Sequence, residues 1–194
     1  MYSLLSQKDL VSRNGMNPIA AINAAPDSPE KKRVLEVCQH DLDILDRRSR
    51  PGHLTASALV IDPVNRNILL LYHKKLKKWL QPGGHADGDG DLARVALREA
   101  TEETGIVGLL LVEPPIDLDV HKVSPPNEDS HQHYDLRYLI LAPSKADPVG
   151  NSESEKLRWV SVSDFSDMQA DTSLYRLANR GLRVLADISI NGLI

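Results

Sequence analysis

The stretch "GGHADGDGDLARVALREATEETGI", Gly83 to Ile106, joins a glycine-rich loop to a helix that carries three glutamates near its end. A helix is predicted from about Asp91 to Thr104, because Gly105 stands where a helix C′ glycine is expected. At about 100° per residue, Glu99, Glu102 and Glu103 extend the apolar side of the helix, whose other members are Leu92, Val95 and Ala96. Arg94, Leu97, Arg98 and Thr101 fall toward the opposite side. The glutamates are therefore predicted to point to the interior or to a cleft.

Two interpretations of these glutamates are open from the residues alone. The run REATEE is compatible with ordinary helix-favouring surface charge, including an Arg98–Glu102 pair at i,i+4. Alternatively, carboxylates that share an inward-facing stripe repel one another and need a cation among them. Oxygen-only ligands of high charge suit Mg²⁺ or Mn²⁺, which complete their coordination with water and phosphate. The second interpretation predicts phosphate-ester or anhydride chemistry.

The glycines before the helix fit the same interpretation. Glycine lets backbone N–H groups approach an anion closely, although many such stretches are only turns. Gly83, Gly84 and His85 are predicted to contact the substrate.

The order Gly84, Arg98, Glu99, Ala100, Glu102, Glu103, Gly105 and Ile106 resembles the Nudix box, the signature of the Nudix hydrolase superfamily. The approach "KWLQPGGH" is also similar to the strand that enters the box in that family. The resemblance implies an α/β fold, an α/β/α sandwich with a mixed sheet. It also implies that Glu99, Glu102 and Glu103 hold Mg²⁺ or Mn²⁺, with Arg98 as a further catalytic residue.

One position departs from the family pattern. Gly90, flanked by Asp89 and Asp91, stands where the family has its first glutamate, which commonly supports the box arginine or a metal-bound water. The resemblance implies a metal-dependent hydrolase of the diphosphate linkage in a nucleoside diphosphate linked to another moiety. The alternative, motivated by Gly90, is a Nudix-fold nucleotide-binding or regulatory module with weak catalysis.

The chain changes character near residue 50. Residues 1–50 are predicted to form a helical extension with an amphipathic helix from Asp27 to Arg48, and residues 51–194 a Nudix domain. A hairpin is predicted from Leu54 to His73 with a turn at Pro63 to Arg66. The remaining predicted elements are strands at Val107–Val112, Leu118–Val123, His131–Ala142 and Leu157–Val160, and a helix from about Ser173 to Ala186.

The predicted strand "HQHYDLRYLIL" places four polar residues on one face, namely His131, His133, Asp135 and Arg137. Substrate or phosphate contact is predicted for His131, His133 and Arg137, because arginine suits bidentate contact with phosphate. Two alternatives stay open: a zinc pair of His131 and His133, for which no third ligand is close in sequence, and ordinary edge-strand polarity.

A polar loop, "NSESEKLRW", precedes the predicted strand at Leu157. Its Glu153 is predicted to act as a general base or an additional metal ligand, because the resemblance to Nudix hydrolases implies a glutamate in a loop of this location. The alternative is a solvated acidic residue in a surface loop.

Composition limits the classes of partner. The net charge of −4 argues against bulk binding to nucleic acid or an anionic membrane. The single cysteine allows no internal disulfide, and no run approaches the length of a membrane span. A cytoplasmic protein with a small-molecule nucleotide-type substrate is predicted, and the amphipathic helix leaves a homodimer open.

Overall fold

The structure is a computed structural model that describes residues 1–13, 16–41, 43–125, 128–152 and 154–194. In chain order its elements are β1 Ser3–Leu5, α1 Gln7–Val11, α2 Pro18–Ala24, α3 Pro29–His40, β2 Gly52–Ile61, β3 Ile68–His73, β4 Lys78–Leu80, β5 Gly83–His85, α4 Leu92–Thr104, β6 Leu110–Val123, β7 His131–Leu141, β8 Ser154–Val160, a 3₁₀-helix Val162–Ser166 and α5 Thr172–Ile190. None of the helices within these ranges is both long and apolar enough to cross a membrane.

The strands form one mixed sheet with the order β1-β6-β7-β2-β3-β4, to which β5 adds beside β2 and β8 beside β3. Strand β2 pairs in parallel with β7 over the whole length of β2, and the other pairs are antiparallel. Apolar side chains from alternate positions of the central strands form a separate core on each face. Helix α4 and the N-terminal helices cover one face and α5 covers the other. The predicted α/β/α sandwich is therefore confirmed.

The N-terminal segment is part of the sheet as well as helical. Strand β1 pairs with β6, and Leu10, Ile22 and Val34 from α1, α2 and α3 are buried in the same core as α4. The predicted helix from Asp27 to Arg48 is wrong beyond His40. The chain turns there because Ile44 is drawn into the core, where its carbonyl accepts a hydrogen bond from Leu54 N at 2.8 Å. Residue 42 lies outside the described residues.

The hairpin and the closing helix follow the prediction closely. Strands β2 and β3 pair across the predicted turn, and α5 begins one residue before the predicted start, with the Asp171 side chain capping it. The two strands predicted at Val107–Val112 and Leu118–Val123 are instead one strand, β6. Its pairing with β7 becomes irregular between Val112 and Asp117, where two prolines cannot donate to the ladder.

Candidate active site

Helix α4 has the predicted ends, with Asp91 capping its first turn and Gly105 in the left-handed conformation at φ 65°. The predicted orientation of its glutamates holds for two of the three. Glu103 is 6% exposed and the Glu99 side chain 16%, whereas the Glu102 side chain is 58% exposed. Leu97, predicted on the outer side, is buried because α1 packs against that side of the helix.

Two consecutive glycines of β5 lie directly against the two inward glutamates. Gly83 N donates to Glu103 Oε2 at 2.9 Å. A Cβ on Gly84 would lie 2.6 and 2.7 Å from the two carboxylate oxygens of Glu99, so only glycine leaves room for that side chain. The predicted glycine loop and glutamate cluster are thus in direct contact. The arrangement is held by the pairing of β5 with β2, which places Gly83 opposite Ser57 and Gly84 opposite Ala56.

Arg98 lies between two of the glutamates. Its Nη1 is 2.7 Å from Glu99 Oε1 and 3.5 Å from Glu102 Oε2, so the i,i+4 pair of the surface-charge interpretation is present. A cation is therefore among the carboxylates, as their mutual repulsion requires. The donor set around Glu99 and Glu103 consists of carboxylate oxygens, which is the chemistry that fits Mg²⁺ or Mn²⁺.

The N-terminal segment occupies the space beside Gly90. A Cβ on Gly90 would overlap the carbonyl oxygen of Met16 and lie 3.3 Å from Pro18 Cδ. Both flanking aspartates have other partners, since Asp89 receives two hydrogen bonds from Arg94 at 2.7 and 2.8 Å and Asp91 caps α4. Packing of the N-terminal segment thus accounts for the absence of a glutamate at this position.

The polar face of β7 lies as predicted, but it is buried. Arg137 is 4% exposed and pairs with Asp135 at 2.8 Å, Asp119 at 3.0 Å and Asp117 at 3.5 Å. Asp135 also accepts hydrogen bonds from Thr55 Oγ1 at 3.0 Å and from Ser57 Oγ at 2.7 Å. Substrate contact by Arg137 would require these pairs to open.

Helix α5 completes this network from the other side. Arg176 donates to Asp117 and Asp119, Arg180 pairs with Asp117, and Arg137 donates to Ser173 Oγ at 2.5 Å. Burial alone would raise the pKa of Asp119, but hydrogen bonds from His121 and Arg176 and the charge of Arg137 hold it below its usual range. The aspartates and arginines of this network form an ionic link between the sheet and α5.

The predicted histidines lie in a cluster that sequence reasoning described only in part. His131 and His133 of β7 and His85 of β5 surround His53 of β2, which was not predicted to belong to the site. The ring centroids of His53 and His133 lie 4.9 Å apart because parallel pairing of β2 and β7 sets these residues side by side. The register between β2 and β7, which the sequence alone does not give, is what places His53 in the cluster.

Burial and neighbouring imidazoles lower the pKa of two of these rings. The pKa of His53 is lowered to about 4, first by burial and then by His85 and His131. The backbone of Ser49 raises this pKa by less than burial lowers it. The pKa of His133 is lowered to about 2 by burial and by the surrounding histidines. Both rings are therefore neutral at pH 7.

Glu153, the predicted general base, lies outside the described residues. The residue before it is held by the lysine-rich turn between β3 and β4, where Lys74 Nζ donates to the carbonyl of Ser152 at 2.6 Å. The prediction for Glu153 stays a prediction.

Comparison with known proteins gives one matching family, the NUDIX domain, over residues 51–180. A curated relative, "Probable DHNTP pyrophosphohydrolase" of Lactococcus lactis subsp. cremoris (strain MG1363), is 35% identical over 91 residues. That match covers 45% of this chain and 52% of the relative, so it spans about half of the relative's length.

Solved structures share the architecture. A NUDIX family hydrolase from Clostridium perfringens is 27% identical with a TM-score of 0.59, covering 69% of this chain and 97% of that one. An Ap4A hydrolase from C. elegans, solved as a binary complex, is 19% identical with a TM-score of 0.57 and covers 69% of this chain and 98% of that one. The second likeness concerns the fold alone.

Proposed function

Because this chain belongs to the Nudix hydrolase family, whose members hydrolyse phosphoric anhydrides, we propose that it cleaves the diphosphate linkage of a nucleoside diphosphate linked to another moiety. In this proposal Glu99, Glu102 and Glu103 hold Mg²⁺ or Mn²⁺. A bound divalent ion supplies charge neutralisation at the phosphates and lowers the pKa of a coordinated water. The small-molecule nucleotide-type substrate follows from the same chemistry.

The observation that carries the proposal is the contact between the glycines of β5 and the glutamates of α4. Glu103 is buried with one oxygen on Gly83 N, and the Glu99 carboxylate lies against Gly84. Burying carboxylates is costly unless cations and hydrogen-bond donors compensate them. The space that Gly84 leaves is therefore maintained for the carboxylate of Glu99, a requirement that a merely solvated acidic face does not have.

The protein's own residues have distinct roles in this proposal. The Gly83 N–H orients the Glu103 carboxylate, and Arg98 holds Glu99 and Glu102 on the outer side of the cluster. Arg98 is then available to balance their charge when the ion is absent and to contact substrate phosphate when the ion is bound. Glu153, His85, His131, His133 and Arg137 are proposed as further base and substrate contacts on the sequence argument.

The regulatory alternative loses its motivation once the surroundings of Gly90 are considered. The alternative rested on a missing carboxylate, but backbone atoms of Met16 fill the space where any side chain at position 90 would begin. Gly90 is thus required by the packing of the N-terminal segment. We therefore favour an active hydrolase in which the N-terminal segment occupies the space that a side chain at position 90 would need.

The test combines turnover with metal binding. Glu103→Gln keeps an acceptor for the Gly83 N–H but removes the charge, so we expect at least a 100-fold loss of Mg²⁺-dependent hydrolysis with an unchanged circular dichroism spectrum. Substrates to screen are nucleotide sugars, dinucleoside polyphosphates, ADP-ribose and dihydroneopterin triphosphate, the last because a relative is named for it. Electron paramagnetic resonance titration of Mn²⁺ gives a readout that is independent of the substrate.

The matched control is Glu36→Gln, on the exposed surface of α3. It removes the same charge and should leave both turnover and Mn²⁺ binding unchanged. Full activity in Glu103→Gln, or unchanged Mn²⁺ affinity, would show that the glutamates of α4 are not the metal ligands. The cytoplasmic location and the homodimer stay predictions from the sequence.

A further inference from the structure

Five of the seven histidines of the chain lie in one cluster, which we call the histidine cluster: His53, His85, His121, His131 and His133. They come from β2, β5, β6 and β7 and belong to the face of the sheet opposite α4. Each ring centroid is within 5.5 Å of at least one other. Strand pairing therefore brings five imidazoles together on one face of the sheet.

Three of these residues bring a possible ligand atom close to one another. One ring nitrogen from each of His53, His131 and His133 lies within 4.8 Å of the others. Within the described ranges this is the one group of three or more histidine, cysteine or acidic residues brought so close. The pairing of β2 with β7, which sets His53 opposite His133, fixes the spacing.

The ring nitrogens are free to act as ligands. Among the residues that the structure describes, neither nitrogen of His53 nor Nε2 of His133 has a hydrogen-bond partner, although these atoms are buried. Nδ1 of His131 lies 2.8 Å from the carbonyl oxygen of Asp129, which fixes the proton on Nδ1 and leaves Nε2 available. Buried polar atoms without partners are costly, and a coordinated ion would satisfy them.

We propose that His53, His131 and His133 form a binding site for a transition-metal ion of the Zn²⁺ type. Neutral imidazoles are preferred ligands of Zn²⁺, whereas Mg²⁺ and Mn²⁺ prefer the carboxylates found at α4. Nitrogen ligands around a tetrahedral zinc lie about 3.3 Å apart at Zn–N distances of about 2.0–2.1 Å, so small side-chain rotations complete the site. The His85 ring lies beside this site, with its centroid 5.1 Å from that of His53.

Phosphate binding explains the same residues less well. Protonated imidazoles would hold an anion most strongly, yet the ring centroids of His53, His131 and His133 lie 4.9 to 5.3 Å apart, where positive charges repel one another. Zinc needs the same rings neutral and close together. The zinc site uses none of the glutamates of α4, but it assigns His131 and His133, for which the sequence argument proposed substrate contact, to metal binding instead.

The test measures metal content and ligand type directly. The protein, freed of metal with a chelator and then titrated with Zn²⁺ in the presence of excess Mg²⁺, should bind one equivalent of Zn²⁺. The zinc X-ray absorption edge should report three or four imidazole ligands. His53→Asn and His133→Asn should each weaken Zn²⁺ binding at least 100-fold, whereas His40→Asn, on the exposed end of α3, should leave it unchanged. Glu103→Gln should also retain the zinc.

Three results would overturn the proposal. The first is a wild-type chain that binds no stoichiometric Zn²⁺, and the second is an absorption spectrum dominated by carboxylate ligands. The third is unchanged affinity in both His53→Asn and His133→Asn. The spectrum uses the wild-type chain, so the proposal stays testable if a substitution impairs folding. Loss of hydrolysis with zinc retained, as expected for Glu103→Gln, separates this site from the one at α4.

Discussion

Replacing Arg137 by methionine tests whether this residue serves the ionic network or the substrate. Arg137 is 4% exposed and contacts the carboxylates of Asp135, Asp119 and Asp117 at 2.8 to 3.5 Å. Methionine fills a similar volume without charge. The substitution therefore removes the central cation of the network while disturbing the packing little.

The expected loss in the free energy of unfolding depends on which partners each aspartate retains in Arg137→Met. Asp117 and Asp119 retain arginines of α5, whereas within the part of the chain that the structure describes the remaining partners of Asp135 are the hydroxyls of Thr55 and Ser57. Removing one partner of a buried ion pair costs about 3–5 kcal/mol, because the other charge stays buried and uncompensated. At about 2–4 °C per kcal/mol for a domain of this size, the melting temperature should fall by about 6–20 °C.

Thermal unfolding followed by circular dichroism measures the fall, and kcat/KM is measured at a temperature where the variant is folded. Arg183→Met, on the exposed face of α5, is the control and should change the melting temperature little. Adding Asp135→Asn to Arg137→Met should recover part of the loss, because the orphaned charge is then gone. A melting temperature that stays within 2 °C together with a lower kcat/KM would refute the structural role and favour substrate contact.

Gly84→Ala should lower metal-dependent turnover at least tenfold with little loss of fold, because a Cβ there displaces the carboxylate of Glu99; Mn²⁺ titration and steady-state kinetics check this. Gly90→Ala should lower the melting temperature, because its Cβ meets the rigid backbone of Met16 rather than a mobile side chain. The folded pKa of Asp119 is depressed, so its stabilising contribution is complete above the unfolded value of about 3.9 and is lost as pH falls below it. Urea unfolding between about pH 6 and pH 2 should show this decline.

Gly88→Ala is the control for turnover in Gly84→Ala, since its Cβ would meet open space; because its φ of 87° strains any side chain, the melting temperature of Gly90→Ala is compared with that of the wild type. Turnover in Gly84→Ala equal to that in Gly88→Ala would contradict the inference that Gly84 leaves room for the carboxylate of Glu99. A melting temperature of Gly90→Ala equal to that of the wild type would mean that the N-terminal segment moves aside at little cost in stability. A pH-independent stability over the acid range would contradict the low pKa of Asp119.

Features that depend on local physics were predictable from the sequence. The ends of α4 are set by a capping aspartate and a left-handed glycine, and the inward side of Glu99 and Glu103 follows from helical periodicity. Glu102 departs from the prediction because it lies at the edge of the apolar stripe, where the helix meets solvent.

Features that depend on distant pairing were not predictable. Leu97 is buried, and the space beside Gly90 is filled, because the N-terminal segment packs there. The residues close to Leu97 or Gly90 in the sequence do not indicate this packing. His53 and His133 are separated by eighty residues and meet only because β2 and β7 pair in one particular register. A shift of one residue would have turned His53 toward the opposite face.

The short strand β5 connects the two sites. Successive residues of a strand point to opposite faces, so Gly84 lies against Glu99 while His85 belongs to the histidine cluster. A metal ion held by the histidine cluster would therefore also fix the backbone from which Gly83 N–H reaches Glu103. Lower turnover after substitution of His85 would thus not by itself identify a substrate contact. A substrate contact is indicated only if turnover falls while zinc content and Mn²⁺ affinity stay at wild-type levels.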